Sequence, residues 1–195
     1  MGDKKQETIT KYLGDMKSVI SHDFEAMERQ KDDFKDQPDV SQTIARIALG
    51  LKRLGDEIEV RQKALGGSPT QPIKEAVAGA AGVAAGLYNK VRTEGAAKAL
   101  RDDHVALNLA LVSYSTLHTT AVAFGDTQTA ALAKNGLTEC AKFAMDVQKL
   151  LPTIVLRELS DGDFGTLDSS APQQTMTAMR SAWGAPDAVA QATRV

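Results

Sequence analysis

The sequence predicts an all-α protein, an antiparallel four-helix bundle, on the basis of three observations. Apolar residues recur at intervals of three and four through four long segments, which is the period of a helix with one buried face. Proline or glycine, residues that commonly begin or end helices, stands in the breaks between these segments. No stretch alternates apolar and polar residues for long enough to form a strand.

The first segment predicts an amphipathic helix over residues 7–36. Charged side chains occupy the positions outside its apolar stripe, as expected of a solvated face. Pro38 then separates this helix from the next, because proline disfavours helical geometry in the residue before it and suits a first helical turn. The stripe comprises Ile9, Leu13, Met16, Ile20, Phe24, Met27 and Phe34.

The second segment repeats this spacing and ends where Gly66 and Gly67 interrupt the pattern. Because only a short connection separates the first two helices, we expect them to pack antiparallel. The apolar positions of the second helix are Val40, Ile44, Ile47, Leu51, Leu54, Ile58 and Leu65.

Residues 73–91 form an alanine- and glycine-rich run in which Gly79, Gly82 and Gly86 share one side of a helix. Small residues in that arrangement allow close backbone approach, so the run predicts a packed crossover helix. A membrane span needs about 20 consecutive apolar residues, and this run is shorter. We therefore expect no membrane association.

The third and fourth helices are expected from about Ala96 to Phe124 and from about Thr127 to Leu159. The third is apolar over a wide surface, which predicts an interior position. Pro152 is expected to kink or divide the fourth helix, because it removes a backbone donor and clashes with the preceding turn.

The sequence changes character after Ser160, so we expect a bundle over residues 1–160 and a C-terminal tail over 161–195. Turn-forming residues dominate the start of this tail. Met176, Met179 and Trp183 keep helical spacing and predict one or two turns that dock on the bundle or on a partner.

Composition excludes several classes of protein. The chain has 23 basic and 25 acidic residues, a formal net charge of -2, and no polybasic segment, so general nucleic-acid binding is not expected. Cys140 is the single cysteine, which excludes an internal disulfide and a cysteine-rich metal cluster. The first residues lack the apolar core of a signal peptide, which predicts a reducing, cytoplasmic setting.

A four-helix bundle invites a search for a carboxylate-bridged pair of metal ions, whose ligands include a Glu-x-x-His sequence on each of two helices. The sequence contains no Glu-x-x-His. Its three histidines, His22, His104 and His118, follow Val19, Arg101 and Ser115 at that spacing.

Residues 101–118, followed by Ala121 to Gly125 and Asp126, resemble the third helix of bacterial ferritin-like proteins, and most closely the Yci-type stress-protein family of unknown function. A Tyr, a Thr-Leu pair and a helix-ending Gly stand at similar intervals there. The resemblance extends over residues 95–160 and more loosely over residues 8–65. It implies a ferritin-like bundle: two helical hairpins joined by a long crossover, here the alanine- and glycine-rich segment.

The same resemblance implies that the paired-metal site is degenerate or absent. The first-helix ligand position falls on Ile20, and the third-helix acidic positions fall on Ala110 and Leu107. Only Glu139 in the fourth helix keeps a carboxylate where the family has one. Ferroxidase, oxygenase, peroxidase and iron-storage activities are therefore not expected, and neither is a bound cofactor.

A residual metal site is the alternative, built from His118 and Glu139 with Asp23, or from His104. The two histidines cannot bind one ion together, because they lie about 21 Å apart along the same helix. A histidine that hydrogen-bonds to a neighbouring hydroxyl group is the simpler interpretation of His118. The hydroxyl groups available belong to Ser113, Ser115, Thr119 and Thr120.

Three hypotheses about function follow. The first is a non-enzymatic ferritin-like bundle, stress-associated and self-associating. The second is a divergent metal-dependent oxidoreductase that uses iron or manganese at Asp23, His104 or His118 and Glu139. The third is an interaction module in which the tail over residues 176–183 or the alanine- and glycine-rich helix binds a partner helix or a second copy.

Overall fold

The computed structural model describes residues 2–67 and 95–184, and in these ranges the chain forms helices and turns without a strand. The alanine- and glycine-rich crossover, predicted over residues 73–91, and the chain after residue 184 lie outside the described residues. The helices are α1 (Asp3–Asp33), α2 (Pro38–Ala64), α3 (Ala96–Phe124), α4 (Thr127–Ser160) and α5 (Ala171–Gly184).

The four long helices form an antiparallel bundle of two hairpins, α1 with α2 and α3 with α4. At one end of the bundle the Gln6 side-chain amide donates to the Leu65 carbonyl oxygen over 2.8 Å, which joins the start of α1 to the end of α2. At the other end Arg157 of α4 pairs with Asp39 at the start of α2, 2.6 Å away. Contacts of α1 with α3 and of α2 with α4 close the ring.

The predicted stripes of the first two helices form much of the core. In α2 every predicted apolar position from Val40 to Ile58 is buried, while Leu65 beyond the helix is partly exposed. In α1 the stripe is buried except for Phe24 and Phe34, which pack against the core from its edge. The all-α prediction and the antiparallel hairpins are thus confirmed.

Glycine is needed at two positions of the second hairpin, for different reasons. Gly136 in α4 lies against the Tyr114 ring, and a Cβ atom at this position would overlap the ring. Gly125 has a φ of 76°, a left-handed conformation that glycine adopts without strain, and it ends α3. Asp126 then caps α4 by accepting from the Thr129 amide.

Three details differ from the sequence-based expectations. Pro152 does not divide α4, because buried Val147 and Ile154 anchor the helix on both sides of the single lost hydrogen bond. The C-terminal segment forms a 14-residue helix that packs against α4, rather than one or two turns. The third helix is not interior: Val112 on its outer face is 65% exposed.

In the described ranges, no helix is both long and apolar enough to cross a membrane.

Candidate functional site

Two polar residues interrupt the apolar stripe of α1 where it faces the bundle interior. The buried positions follow each other at steps of four and three, and Asp23 and Gln30 fall on that series between Ile20 and Phe34. A residue on this series points into the bundle whatever its polarity, because the helical period fixes its direction. Asp23 and Gln30 are accordingly buried.

Asp103 occupies the equivalent position in α3. It stands between Leu100 and Leu107 in the stripe that continues to Tyr114, and it is 0% exposed. Asp23, on the antiparallel neighbour α1, is 3% exposed and close enough to raise the pKa of Asp103. We call Asp23, Gln30 and Asp103 the carboxyl cluster.

The oxygen atoms of the carboxyl cluster lack hydrogen-bond partners. Oδ2 of Asp23, Oε1 of Gln30 and both carboxyl oxygens of Asp103 are buried and unpaired within the described ranges. Buried polar atoms in folded proteins are nearly always paired, so four unpaired oxygens on three neighbouring side chains are unusual. The cluster is therefore the candidate functional site.

Burial raises the pKa of both carboxyl groups. The pKa of Asp23 rises from 3.8 to about 7 through desolvation. The pKa of Asp103 rises to about 8, first through desolvation and then through the neighbouring charges of Asp23 and Asp102. The nearby Gln30 amide lowers the pKa of Asp103 by more than either neighbouring charge raises it, although no hydrogen bond of ordinary geometry joins the two side chains.

Within residues 2–67 and 95–184, no cation contributes to the pKa of Asp23 or Asp103. Arg101 pairs with the adjacent Asp102 at 2.7 Å, which occupies the nearest guanidinium group in α3. Cys140 of α4 lies near Asp23, and burial raises the pKa of its thiol to about 12, with smaller contributions from Asp23 and Glu139. A neutral thiol and neutral carboxyl groups are the chemical forms that this environment favours.

A neutral carboxyl group both donates and accepts a hydrogen bond, whereas an ionised one only accepts. Protonation of Asp23 or Asp103 therefore gives the cluster the donor that its unpaired oxygens lack. The arrangement can hold and release protons, and it supplies no nucleophile because the Cys140 thiol stays protonated.

A second buried acidic group, at the opposite end of the bundle, is fully paired. The Asp126 carboxylate accepts from the Arg61 guanidinium over 2.7 and 2.8 Å and from the Thr129 amide over 3.0 Å. Burial alone would raise the pKa of Asp126, but the bonds from Thr129 and Arg61 outweigh it and hold that pKa below its ordinary value. We call Arg61, Asp126 and Thr129 the arginine cluster.

Of the residues proposed for a residual metal site, only Asp23 belongs to the carboxyl cluster. Glu139, His104 and His118 lie elsewhere. Glu139 is directed towards α2, where it pairs with Arg53 at 2.8 Å and with Lys142 of its own helix at 3.4 Å. His104 Nδ1 lies 3.1 Å from the Ala144 carbonyl oxygen. His118 is partly exposed. Among the described residues, no group of three or more His, Cys, Asp or Glu side chains is arranged to hold a metal ion.

The hydroxyl groups near His118 are engaged elsewhere. The side chains of Ser113 and Ser115 donate to Leu109 and Leu111 carbonyl oxygens, and those of Thr119 and Thr120 donate to carbonyl oxygens one turn earlier. This back-bonding within the helix is common for Ser and Thr. The expected hydrogen bond from a hydroxyl group to His118 is thus replaced by bonds to the helix backbone.

The donor set does not fit the paired-metal centre that a ferritin-like bundle implies. Such a centre takes carboxylates from four helices and histidines from two. The carboxyl cluster draws on α1 and α3, Cys140 of α4 lies near Asp23, and the buried residues of α2 from Val40 to Ile58 are all apolar. Ile20, Ala110 and Leu107, at the implied ligand positions, are buried packing residues.

Comparison with known proteins supports the fold. No protein family and no curated protein matches this chain. A solved structure of a Xanthomonas campestris pv. campestris protein superposes with a TM-score of 0.67 at 16% identity, covering 81% of this chain and 97% of that one. An archaeal Dps homologue from Halobacterium salinarum gives a TM-score of 0.63 at 17% identity and 88% coverage of both chains.

These similarities confirm the ferritin-like fold, and at such low identity they show the fold alone. The finer assignment to the Yci-type family stays a prediction.

Sequence reasoning identified Asp23 but missed Gln30 and Asp103. A usable signal existed, since all three fall on the three-and-four series of the buried stripes. A stripe that is defined by its apolar residues alone leaves out Gln30 and Asp103. A polar residue at a position of a buried stripe should therefore count as a candidate site residue.

Proposed function

We propose that this protein is a ferritin-like bundle that works without metal-dependent redox chemistry, as a helical interaction module. The observation that carries the proposal is the composition of the bundle interior. Every predicted stripe position of α2 within the helix is a buried aliphatic side chain, so from Val40 to Ile58 this wall of the interior offers no ligand atom. A carboxylate-bridged metal pair needs ligands from that wall.

The carboxyl cluster supports the same proposal. The pKa values of Asp23 and Asp103 are raised, so a metal ion that binds either carboxylate must first displace a proton. Exposed apolar residues on α3 also support an interaction module. On α5, Trp183 is exposed beside half-buried Met176 and Met179.

The competing proposal is a divergent oxidoreductase with iron or manganese held by Asp23, His104 or His118 and Glu139. The four unpaired oxygens of the carboxyl cluster favour this alternative, since a cation would satisfy them. The positions of Glu139, paired with Arg53, and of His104, bonded to the backbone, oppose it.

Metal analysis of the full chain distinguishes the two proposals. The protein would be purified from cells supplemented with iron and manganese, and its metal content measured by inductively coupled plasma mass spectrometry. We expect far less than one ion per chain, and oxygen consumption with added Fe²⁺ no faster than in buffer. Two iron or manganese ions per chain would overturn the proposal.

A matched pair of variants locates any bound metal. Asp23→Asn removes the carboxylate that the oxidoreductase proposal shares with the carboxyl cluster, and Asp146→Asn removes one from a partly exposed ion pair with Arg46. Metal lost from the first variant alone would support the oxidoreductase. Trace metal retained equally by both variants agrees with the interaction module.

The stress-related role comes from the resemblance to bacterial stress proteins. It predicts that transcription of the gene rises under oxidative or osmotic stress and that a deletion strain survives such stress less well. Equal survival of deletion and parent strains under both stresses would remove this part of the proposal.

A further inference from the structure

A second stripe of small and apolar residues runs along the outer face of α3, away from the core. Its positions follow each other at steps of four and three, the spacing of a coiled-coil seam. Val112 at its centre is 65% exposed, and Val105 and Leu109 are also exposed. The outer seam comprises Val105, Leu109, Val112, Thr116, Thr119 and Ala123.

The threonines of the outer seam present methyl groups rather than free hydroxyl groups. Thr116 donates its hydroxyl hydrogen to the Val112 carbonyl oxygen over 3.1 Å, and Thr119 donates to Ser115 over 2.9 Å. Both hydroxyl groups have partners within the helix, so covering them leaves no donor unpaired. The seam can therefore become buried at little polar cost.

The seam is free of formal charge over its full length. Residues 105–125 contain no Asp, Glu, Lys or Arg, although one residue in four of the whole chain is charged. In a twofold-symmetric interface, residues near the axis meet their own copies, so any charge there would face a like charge. The absence of charge suits a second copy of this chain.

Side-chain sizes along the seam are complementary to the same seam in the reverse direction. When two copies of α3 pack antiparallel with the twofold axis level with Tyr114, Val105 lies opposite Ala123 of the second copy. Leu109 then lies opposite Thr119, and Val112 opposite Thr116. Each larger side chain meets a smaller one, the arrangement that lets facing side chains interdigitate.

The ends of this pairing are complementary in charge. Arg101 precedes the seam by one turn, and its exposed guanidinium group, which pairs with Asp102, would lie beside the C-terminal end of α3 of the second copy. The last carbonyl groups of a helix carry partial negative charge and attract a cation. Parallel pairing would instead place the two Arg101 side chains together.

We propose that the outer seam of α3 is the interface of a homodimer in which two α3 helices pack antiparallel about a twofold axis. Over residues 105–123 the interface spans about 27 Å of helix. The inference is independent of metal content, so it can fail while the metal-free function stands.

Sedimentation-velocity centrifugation of the full chain, over a concentration series, tests the interface. We expect a species of twice the 20.8 kDa chain mass, and Val112→Glu should weaken its association by about tenfold or more. The control Val60→Glu adds the same charge to α2 at a residue of similar exposure, 68%, and should leave association unchanged. A monomer at every concentration, or equal masses for all three proteins, would overturn the proposal.

Cysteine cross-linking tests the direction of packing. Val105→Cys and Ala123→Cys, each alone, should give no cross-linked dimer, because identical positions lie about 27 Å apart along the antiparallel pair. A mixture of the two variants should give one under mild oxidation, while buried Cys140 stays unreactive. Cross-linking of Val105→Cys alone, or none in the mixture, would contradict antiparallel packing.

Discussion

In the part of the chain that the structure describes, the two buried acidic clusters differ in whether a cation pairs with the carboxylate. Asp126 in the arginine cluster accepts from Arg61 and Thr129 and keeps a lowered pKa. Asp23 and Asp103 in the carboxyl cluster have no such partner and keep raised pKa values of about 7 and 8. Asp126 is also less deeply buried than Asp23 and Asp103, so pairing and burial together separate the pKa values.

The contrast shows how a structural polar group differs from a candidate site. The arginine cluster joins α2 to the start of α4 with every oxygen of Asp126 bonded, which fixes the register of two helices. The carboxyl cluster lowers stability when ionised and fixes no register. Unpaired groups of this kind persist in cores for a functional or conformational reason.

The largest effect is expected from breaking the arginine cluster. Arg61→Met removes the cation while Asp126 stays bonded to Thr129, so a buried carboxylate is left without its counter-ion. The free energy of unfolding should fall by about 3–5 kcal/mol, measured by urea denaturation at neutral pH.

Arg53→Met is the matched control, because Arg53 pairs with Glu139 at the exposed surface of the same helix. Its loss should change the free energy of unfolding by about 0–1 kcal/mol. Equal losses in the two variants would mean that the arginine cluster is no more than a surface ion pair.

The carboxyl cluster should make the protein less stable at alkaline pH. Between the ordinary pKa of 3.8 and the raised pKa values, the folded protein holds protons that the unfolded chain releases. The stabilisation by these protons is complete below pH 3.8, the ordinary pKa. It is lost as the pH rises through the raised pKa values of Asp23 and Asp103. From about pH 5 to about pH 8, Asp23 alone should reduce the free energy of unfolding by about 2–3 kcal/mol.

The double variant Asp23→Asn, Asp103→Asn isolates this contribution, since amide groups of similar shape do not ionise. In denaturation experiments at several pH values, the free energy of unfolding of the double variant should change less with pH than that of the wild type. Near pH 8 the double variant should be the more stable protein. Parallel curves for the two proteins would show that the cluster does not titrate as described.

The smallest effect concerns an unpaired group that stays neutral. The Tyr114 hydroxyl is buried without a partner in the described ranges, and burial raises its pKa above the ordinary value of 10.0, so it stays neutral. Tyr114→Phe should raise the free energy of unfolding by about 1 kcal/mol, because it removes an unpaired polar atom and keeps the ring against Gly136.

Half-buried Tyr12 provides the control, and Tyr12→Phe should change stability by about 0.5 kcal/mol or less. A clear loss of stability in Tyr114→Phe would mean that the hydroxyl has a partner, such as a buried water molecule.

Much of the fold could be predicted because helical periodicity is a local property. The end of α3 at Phe124 and the start of α4 at Thr127 were predicted, and the residues between them, Gly125 and Asp126, are local signals that end one helix and cap the next. The period of α3 alone could not show which of its two apolar stripes faces the core. That choice requires the positions of α1 and α4, which no single helix encodes.

The sequence by itself determined the helices, their breaks, the buried stripes and the missing Glu-x-x-His ligands, because each depends on residues within a few turns of one another. The tertiary structure alone decided that Asp23 meets Asp103, that Arg61 reaches Asp126 and that Glu139 turns to Arg53. These pairings join helices distant in sequence. Whether a buried carboxyl group is charged therefore depends on which helix lies opposite it.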